Sequence, residues 1–388
     1  MTDAPSARVV AEPATTTTLV HIGGRGPQEW WRSCVVFVND PPLLDVRSTA
    51  ADVTERTELL RPISRLGATA VRIGCPGPDD PVIDAAVEEL LTRARRLGVR
   101  VIMRIDPLDP AHEAPARHWL SRGVDGLDLG PVGPGIPEVS HERYRELQAL
   151  LAEHTDDGIL SARLSPDAQP QLSEMLHEDW LHHVVDAALT RTQTVAAVRD
   201  AIDDAYAIRD VLGAPAAWLV PDIADTGSLR RARAGALLTL ALPGALYLRQ
   251  GTALGLPSRR ATGSLAEREA EADAARAAQR GVTGSTYEMF RAALRLRADY
   301  RLGTAPLAWV HGLPAAAEPQ TVAFLSGEVL VLCNFGAATL RLPAGSDILH
   351  TSAELLTADD GSFLVPPETT VWIWMASPGS ERAERVRQ

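Results

Sequence analysis

From residue 34 to about residue 300 the sequence alternates between two textures. Short runs of β-branched and other apolar residues are each followed by a longer stretch with apolar positions at i, i+3 and i+4. "CVVFV" (34–38) leads into "VTERTELLRPISRLG" (53–67), "ATAVRIG" (68–74) into "VIDAAVEELLTRARRLG" (82–98), and "VRVIMRI" (99–105) into a helical segment at 113–121. "VDGLDL" (124–129) precedes helix 141–154, a strand at 158–163 follows, and a weaker segment near 181–188 precedes helix 192–212. "AAWLV" (216–220) with helix 228–241, then "ALYL" (245–248) with a last helix at 285–299, complete the series. Parallel strands must be joined by crossovers of a dozen or more residues, usually helices. Seven or eight such units therefore predict a (β/α)₈ TIM barrel. A doubly wound open sheet is the competing arrangement, but no Gly-rich phosphate loop follows the first strand.

Beyond residue 305 the pattern shortens to alternating runs: "TVAFLSGEVLVLCNFG" (321–336), "ATLRLPAG" (338–345) and "TTVWIWM" (369–375). The first contains a hairpin signal at Ser326-Gly327. The expected organisation is a disordered leader (1–29), the barrel (30–303), a small antiparallel β-sandwich-like domain (304–376) and a disordered tail (377–388). Residues 257–284 form a polar, charge-dense insertion before the last helix, read as a solvated helix with flexible ends.

Composition narrows the partners. The formal net charge of −12 argues against a sequence-independent grip on nucleic acid or an anionic membrane. The most apolar run, "AGALLTLALPGALYL" (234–248), is broken by Pro243-Gly244 and falls short of the roughly 20 residues a bilayer span needs. Cys34, Cys75 and Cys333 are few, odd in number and far apart, which fits reduced thiols in a cytoplasmic protein. They suggest no metal site, since no close Cys/His pair accompanies them. Nothing in the sequence calls for a cofactor.

Several segments, in order and spacing, resemble the α-amylase/α-glucosidase family (glycoside hydrolase family 13). "EWWRSCVVFVND" resembles that family's opening strand, "RLGATAVRIGCPGP" its second strand and "ARRLGVRVIMRIDP" its third. "HWLSRGVDGLDL" is similar to its fourth-strand motif, and "ARAGALLTLALPGALYLRQGTALGLP" (232–257) to its last helix–strand unit. The resemblance implies a retaining glycosidase site, which needs two carboxyl groups about 5–5.5 Å apart. The family adds a third carboxylate that fixes sugar hydroxyls.

The implied positions carry other residues. The nucleophile position falls on Gly130, with Asp128 where the family has Arg. The acid/base position falls on Ala162, and no Glu occurs between Glu153 and Glu174. The third carboxylate falls on Ala224, with Asp222 and Asp225 within a slip of one or two residues. On the third strand Arg104, Leu108 and Asp109 replace the family's polar set, and helix 113–121 follows at once, leaving no room for the family's inserted domain. The expectation is a shortened pseudo-glycosidase that binds an α-glucoside, another small carbohydrate or a protein partner. The alternative is an active enzyme of carbohydrate metabolism using relocated acids from among Asp106, Asp109, Asp128, Asp222 and Asp225.

Either way, Arg104, Asp109, Asp128, Asp222 and Asp225 are the candidate ligand-binding residues at the barrel mouth. Arg104 and Asp128 reverse the family's acid-then-base order on neighbouring strands, which predicts a swapped ion pair plugging the mouth. Asp125 is expected to hold a structural turn, Trp30-Trp31 to pack the barrel floor or the β domain, and His177, His182 and His183 to be core or surface histidines.

Overall fold

The computed structural model describes residues 16–24, 28–38, 44–45, 47–133, 138–164, 175–176, 181–192, 194–257, 265–312 and 320–375. Strand β1 (Thr16–His21) precedes the barrel. The barrel wall is built from β2 (Val35–Val38), β3 (Ala70–Gly74), β4 (Arg100–Arg104), β5 (Gly126–Val132), β6 (Ile159–Leu164), β7 (His183–Val185), β8 (Ala217–Leu219) and β9 (Ala245–Arg249). All are parallel, in the spatial order β7-β6-β5-β4-β3-β2-β9-β8. A bridge between Asp186 and Trp218 joins the two ends, with Asp186 N–H donating to the Ala217 carbonyl at 2.7 Å and Leu219 N–H to that of Asp186 at 2.9 Å.

Strand alternation sorts the side chains into two cores. Val36, Ala70, Ile102, Ile159, Val185, Ala217, Leu219, Ala245 and Tyr247 fill the lumen. Val71, Met103, Leu127, Leu160, Ala162, Val184, Trp218 and Leu246 face the surrounding helices. The helices start where polar caps precede apolar-periodic runs. Thr49 forms a capping box with Asp52 ahead of Ala50–Leu66, and Ser140, Thr194, Ser228 and Ser285 cap the helices that begin at His141, Val195, Leu229 and Thr286. Each such cap contributes about 1 kcal/mol. Gly67 ends the first helix with φ 111°, a conformation that excludes most side chains.

After β4 the chain passes through Pro110–His112 directly into helix Glu113–Ser121, with no domain between them. The C-terminal part contains β10 (Leu307–His311), β11 (Thr321–Ser326), β12 (Val329–Asn334), β13 (Leu340–Leu342), β14 (Ile348–Thr351), β15 (Leu356–Thr357), β16 (Phe363–Val365) and β17 (Thr369–Trp374). They form antiparallel sheets ordered β1-β10-β11-β12-β17-β14 and β13-β16-β15, with Leu332, Leu342, Val365, Val371 and Ile373 clustered as a core. The β11–β12 hairpin pairs Ser326 with Val329, as the Ser-Gly signal predicts. This unit docks on the barrel through helix Leu229–Leu240, where the Thr370 hydroxyl donates to the Ala234 carbonyl at 2.7 Å and the Trp372 indole to that of Leu237 at 3.1 Å.

Two expectations need correction. Residues 16–21 are not part of a disordered leader but pair antiparallel with β10. The Thr-rich run has β propensity, and pairing satisfies the backbone edge that β10 would otherwise expose. Within 257–284, helix Leu265–Gln279 is not wholly solvated. Ala272 is 2% exposed, and Glu269 forms a 2.5 Å ion pair with Arg56 of the first barrel helix. The remainder of the leader and the tail 377–388 lie outside the described residues.

Candidate functional site

Inward positions near the carboxyl ends of the strands are polar where the lower lumen is apolar. Register aligns Arg104 of β4 with Asp128 of β5, and Asp128 with Ser161 of β6. Asp128 is 1% exposed and saturated with partners. Its Oδ1 accepts from the Gly130 backbone N–H at 3.0 Å and from Arg72 Nη1 at 3.3 Å, with Arg104 Nη1 at 3.5 Å. Its Oδ2 accepts from the Ser161 hydroxyl at 3.1 Å. A buried carboxylate is tolerable only with such compensation. The expected Arg104–Asp128 pair is therefore present, with Arg72, which no sequence motif singled out, as the more buried partner.

Gly130 lies within a register irregularity between Asp128 and Pro131 and has φ +72°. A Cβ built there would overlap the Arg104 guanidinium. Ala162 faces outward into the helix-packing core with Leu160 and Leu164. By alternation its neighbours Ser161 and Arg163 are the residues on the lumen side of β6, so Ala162 is not at the mouth.

Asp222 and Asp225 sit beyond β8 as a reciprocal capping box for the short helix Ile223–Thr226. Asp222 Oδ1 accepts from Ala224 N–H at 2.8 Å, and Asp225 Oδ2 from Asp222 N–H at 3.0 Å. Arg249, at the end of β9 and 3% exposed, reaches both carboxylates, lying 3.3 Å from Asp222 Oδ2 and pairing closely with Asp225. Ala224 is the second residue of that helix and contributes its backbone N–H. Asp106 and Asp109 close local turns, accepting from Leu108 N–H at 3.0 Å and Ala111 N–H at 2.9 Å. Thus Arg104 and Asp128 come together, Asp222 and Asp225 come together, and Asp109 stands apart as a turn cap.

Below this layer His183 is fully buried. Its Nε2 lies 2.9 Å from the Trp31 carbonyl, which can only accept, so Nε2 carries the proton. Nδ1 then accepts from the Tyr247 hydroxyl at 2.8 Å. Burial lowers the His183 pKa to about 3, and burial raises that of Tyr247 well above its usual value. Trp31 packs edge-on to His182 and His183 and joins the lumen core with Trp30, which puts both tryptophans at the barrel floor. Asp125 is structural, accepting from Arg100 at 2.7 Å and from Val101 N–H at 2.8 Å. His182 Nδ1 accepts from Leu160 N–H, while His177 lies outside the described residues.

Arg72, Ser161, Tyr247, His183 and Arg249 went unread in the sequence as parts of this network. The signal was period-2 placement: in "AVRIG" and "ALYLR" the polar residues share the parity of the lumen-facing positions. Chemically, Asp128, Asp222 and Asp225 each carry an arginine partner and at least one backbone donor. Such groups can bind hydroxyls through their remaining acceptor capacity.

No protein-family model and no curated protein sequence matches this chain. Its fold is nevertheless shared by solved structures. The α-glucosyl transfer enzyme XgtA superposes with a TM-score of 0.65 at 16% identity, over 90% of this chain and 100% of that one. The trehalulose synthase MutB from Pseudomonas mesoacidophila MX-45 superposes with a TM-score of 0.61 at 15% identity, over 90% and 100%. A MutB variant in complex with glucose gives the same TM-score, identity and coverage. The chain thus has the glycoside hydrolase family 13 fold, a (β/α)₈ barrel followed by a C-terminal β domain.

Proposed function

We propose that this chain is a non-catalytic α-amylase/α-glucosidase-like protein that binds a small carbohydrate at its barrel mouth. The observation that carries the reading is the fit of the Arg104 guanidinium over Gly130, the position that the family resemblance assigns to the nucleophile. A carboxylate side chain has no room there while Arg104 keeps its place beside Asp128. The other mouth acids are engaged as caps and with Arg249, which supports a structural role over relocated acid–base chemistry. Retaining hydrolysis divides its work between a nucleophile and an acid/base, and losing such groups costs orders of magnitude in rate. The α-glucoside class is suggested by neighbours named for α-glucosyl transfer and trehalulose synthesis.

The test is a paired screen of purified protein with maltose, sucrose, trehalose, malto-oligosaccharides and aryl α-glucosides. Thermal stabilisation by at least one sugar without turnover is the expected result. Turnover that survives purification and disappears in Asp128→Asn or Asp222→Asn would overturn the reading in favour of relocated chemistry. Silence in both assays would redirect the search to a protein partner.

A further inference from the structure

A cavity of about 490 Å³ lies at the opposite end of the barrel from the mouth. Its wall includes Arg32 just before β2, Ala216 just before β8 and Gly244 just before β9, so it opens under the strand entries. The segment leaving β1 covers one side of it. The volume falls within the roughly 300–1,000 Å³ typical of small-molecule sites. In this fold class the amino-terminal face normally serves stability, so a ligand-sized cavity there needs its own explanation.

The polar groups in its wall are fixed. His21 Nδ1 lies 2.6 Å from Asp210 Oδ1, and the His21 ring stacks on Tyr206 at 4.6 Å between centroids. The Tyr206 hydroxyl is anchored on the Pro243 carbonyl at 2.9 Å. On the other side Arg32 donates from Nε to Glu29 at 2.7 Å and from Nη1 to the Gly213 carbonyl at 2.8 Å. Arg209, only 1% exposed, also lines the cavity, and its buried Nε has no hydrogen-bond partner among the described residues.

The charged groups of the wall are already engaged: Arg32 with Glu29, Arg209 with Asp186 and Asp210 with His21. An anionic ligand would face two carboxylates and a cationic one two guanidiniums, each without net gain. A neutral molecule bearing several hydroxyls suits the arrangement, because each hydroxyl both donates and accepts. From this geometry we infer a second binding site, at the barrel floor, for a neutral polyhydroxylated molecule of mono- or disaccharide size. It is separate from the mouth and stands whether or not the mouth binds anything.

The test is calorimetric titration of the full chain with glucose, maltose and trehalose, and with glucose 6-phosphate and glucosamine as charged probes. Two variants accompany it. Asp210→Asn keeps shape but turns one carboxylate oxygen into a donor, and Ala214→Phe fills the cavity from its wall. Saturable binding of a neutral sugar, weakened at least ten-fold in both variants while their circular dichroism matches wild type, is expected. Should Asp210→Asn fail to fold, ten-fold loss in Ala214→Phe alone supports the site equally. The inference is overturned if no neutral probe binds, if only the charged probes bind, or if a neutral probe binds the folded variants as tightly as wild type. The last result would place the ligand at the mouth and leave the proposed function standing.

Discussion

Substituting Gly130 tests whether Arg104 occupies the space that a nucleophile would need. Two costs arise in Gly130→Ala. The backbone at φ +72° is left-handed, which costs a non-glycine residue about 1–2 kcal/mol. The new methyl group also overlaps the Arg104 guanidinium, which must move. That guanidinium ends a flexible side chain, 23% exposed, so it swings away with little steric strain, and what is lost is its place beside Asp128. Asp128 keeps Arg72, so the displaced pair is worth about 1 kcal/mol, between an exposed pair and a broken buried one. Gly130→Ala should therefore destabilise by about 2–3 kcal/mol in wild type but only about 1–2 kcal/mol in an Arg104→Ala background. Chemical denaturation of the four proteins, with slopes checked for constancy, measures the difference. Costs that agree within about 0.5 kcal/mol in both backgrounds would show that Arg104 does not fill the position, and the packing of Arg104 over Gly130 would then no longer support the non-catalytic reading.

The other predictions concern buried polar groups. Asp128→Ala leaves the Arg72 charge without its buried partner and should cost about 3–5 kcal/mol, whereas Ser161→Ala, which leaves both charges in place, should cost about 1 kcal/mol, read by the same denaturation assay. His183 has its folded pKa lowered from 6.5 to about 3, so its neutral form supports the fold fully above pH 6.5 and that support is lost as pH falls toward 3. Wild-type stability should accordingly drop more steeply than that of His183→Gln across this window, by at most about 1.4 kcal/mol per pH unit, and parallel curves would contradict the assignment. Cys34, Cys75 and Cys333 are buried with thiol pKa values pushed up to about 12, so a thiol reagent at pH 8 should leave the native protein unlabelled and label three thiols after denaturation.

The barrel was legible because its signal is local and repeated. Each strand–helix unit declares itself within about thirty residues, by a β-branched run, a polar cap and an apolar stripe, so an error in one unit leaves the others intact. The strand at Thr16–His21 escaped because its reason for existing is not local. It is a strand only because β10, nearly three hundred residues later, offers an edge. The candidate site divides along the same line. Arg104 and Asp128 were legible as a pair because adjacent parallel strands put equivalent residues side by side, and the pairing register bears this out. Arg72 and Arg249 were not, although they stand at equally informative lumen-facing positions, because reading against a family directs attention to what is missing. The period-2 rule applied without that guide marks Arg72, Arg104, Asp128, Ser161, Tyr247 and Arg249 among the lumen's polar residues. Ala162 shows the complementary error. A motif count reached it, but the strand's parity turns it outward, so at β6 the residues to weigh are Ser161 and Arg163. A buried carboxylate must have its charge balanced, and here each buried mouth carboxylate meets an arginine from a nearby barrel strand: Asp128 meets Arg72 and Arg104, and Asp222 meets Arg249. Electroneutrality in a low-dielectric lumen is thus what ties these scattered charged residues together.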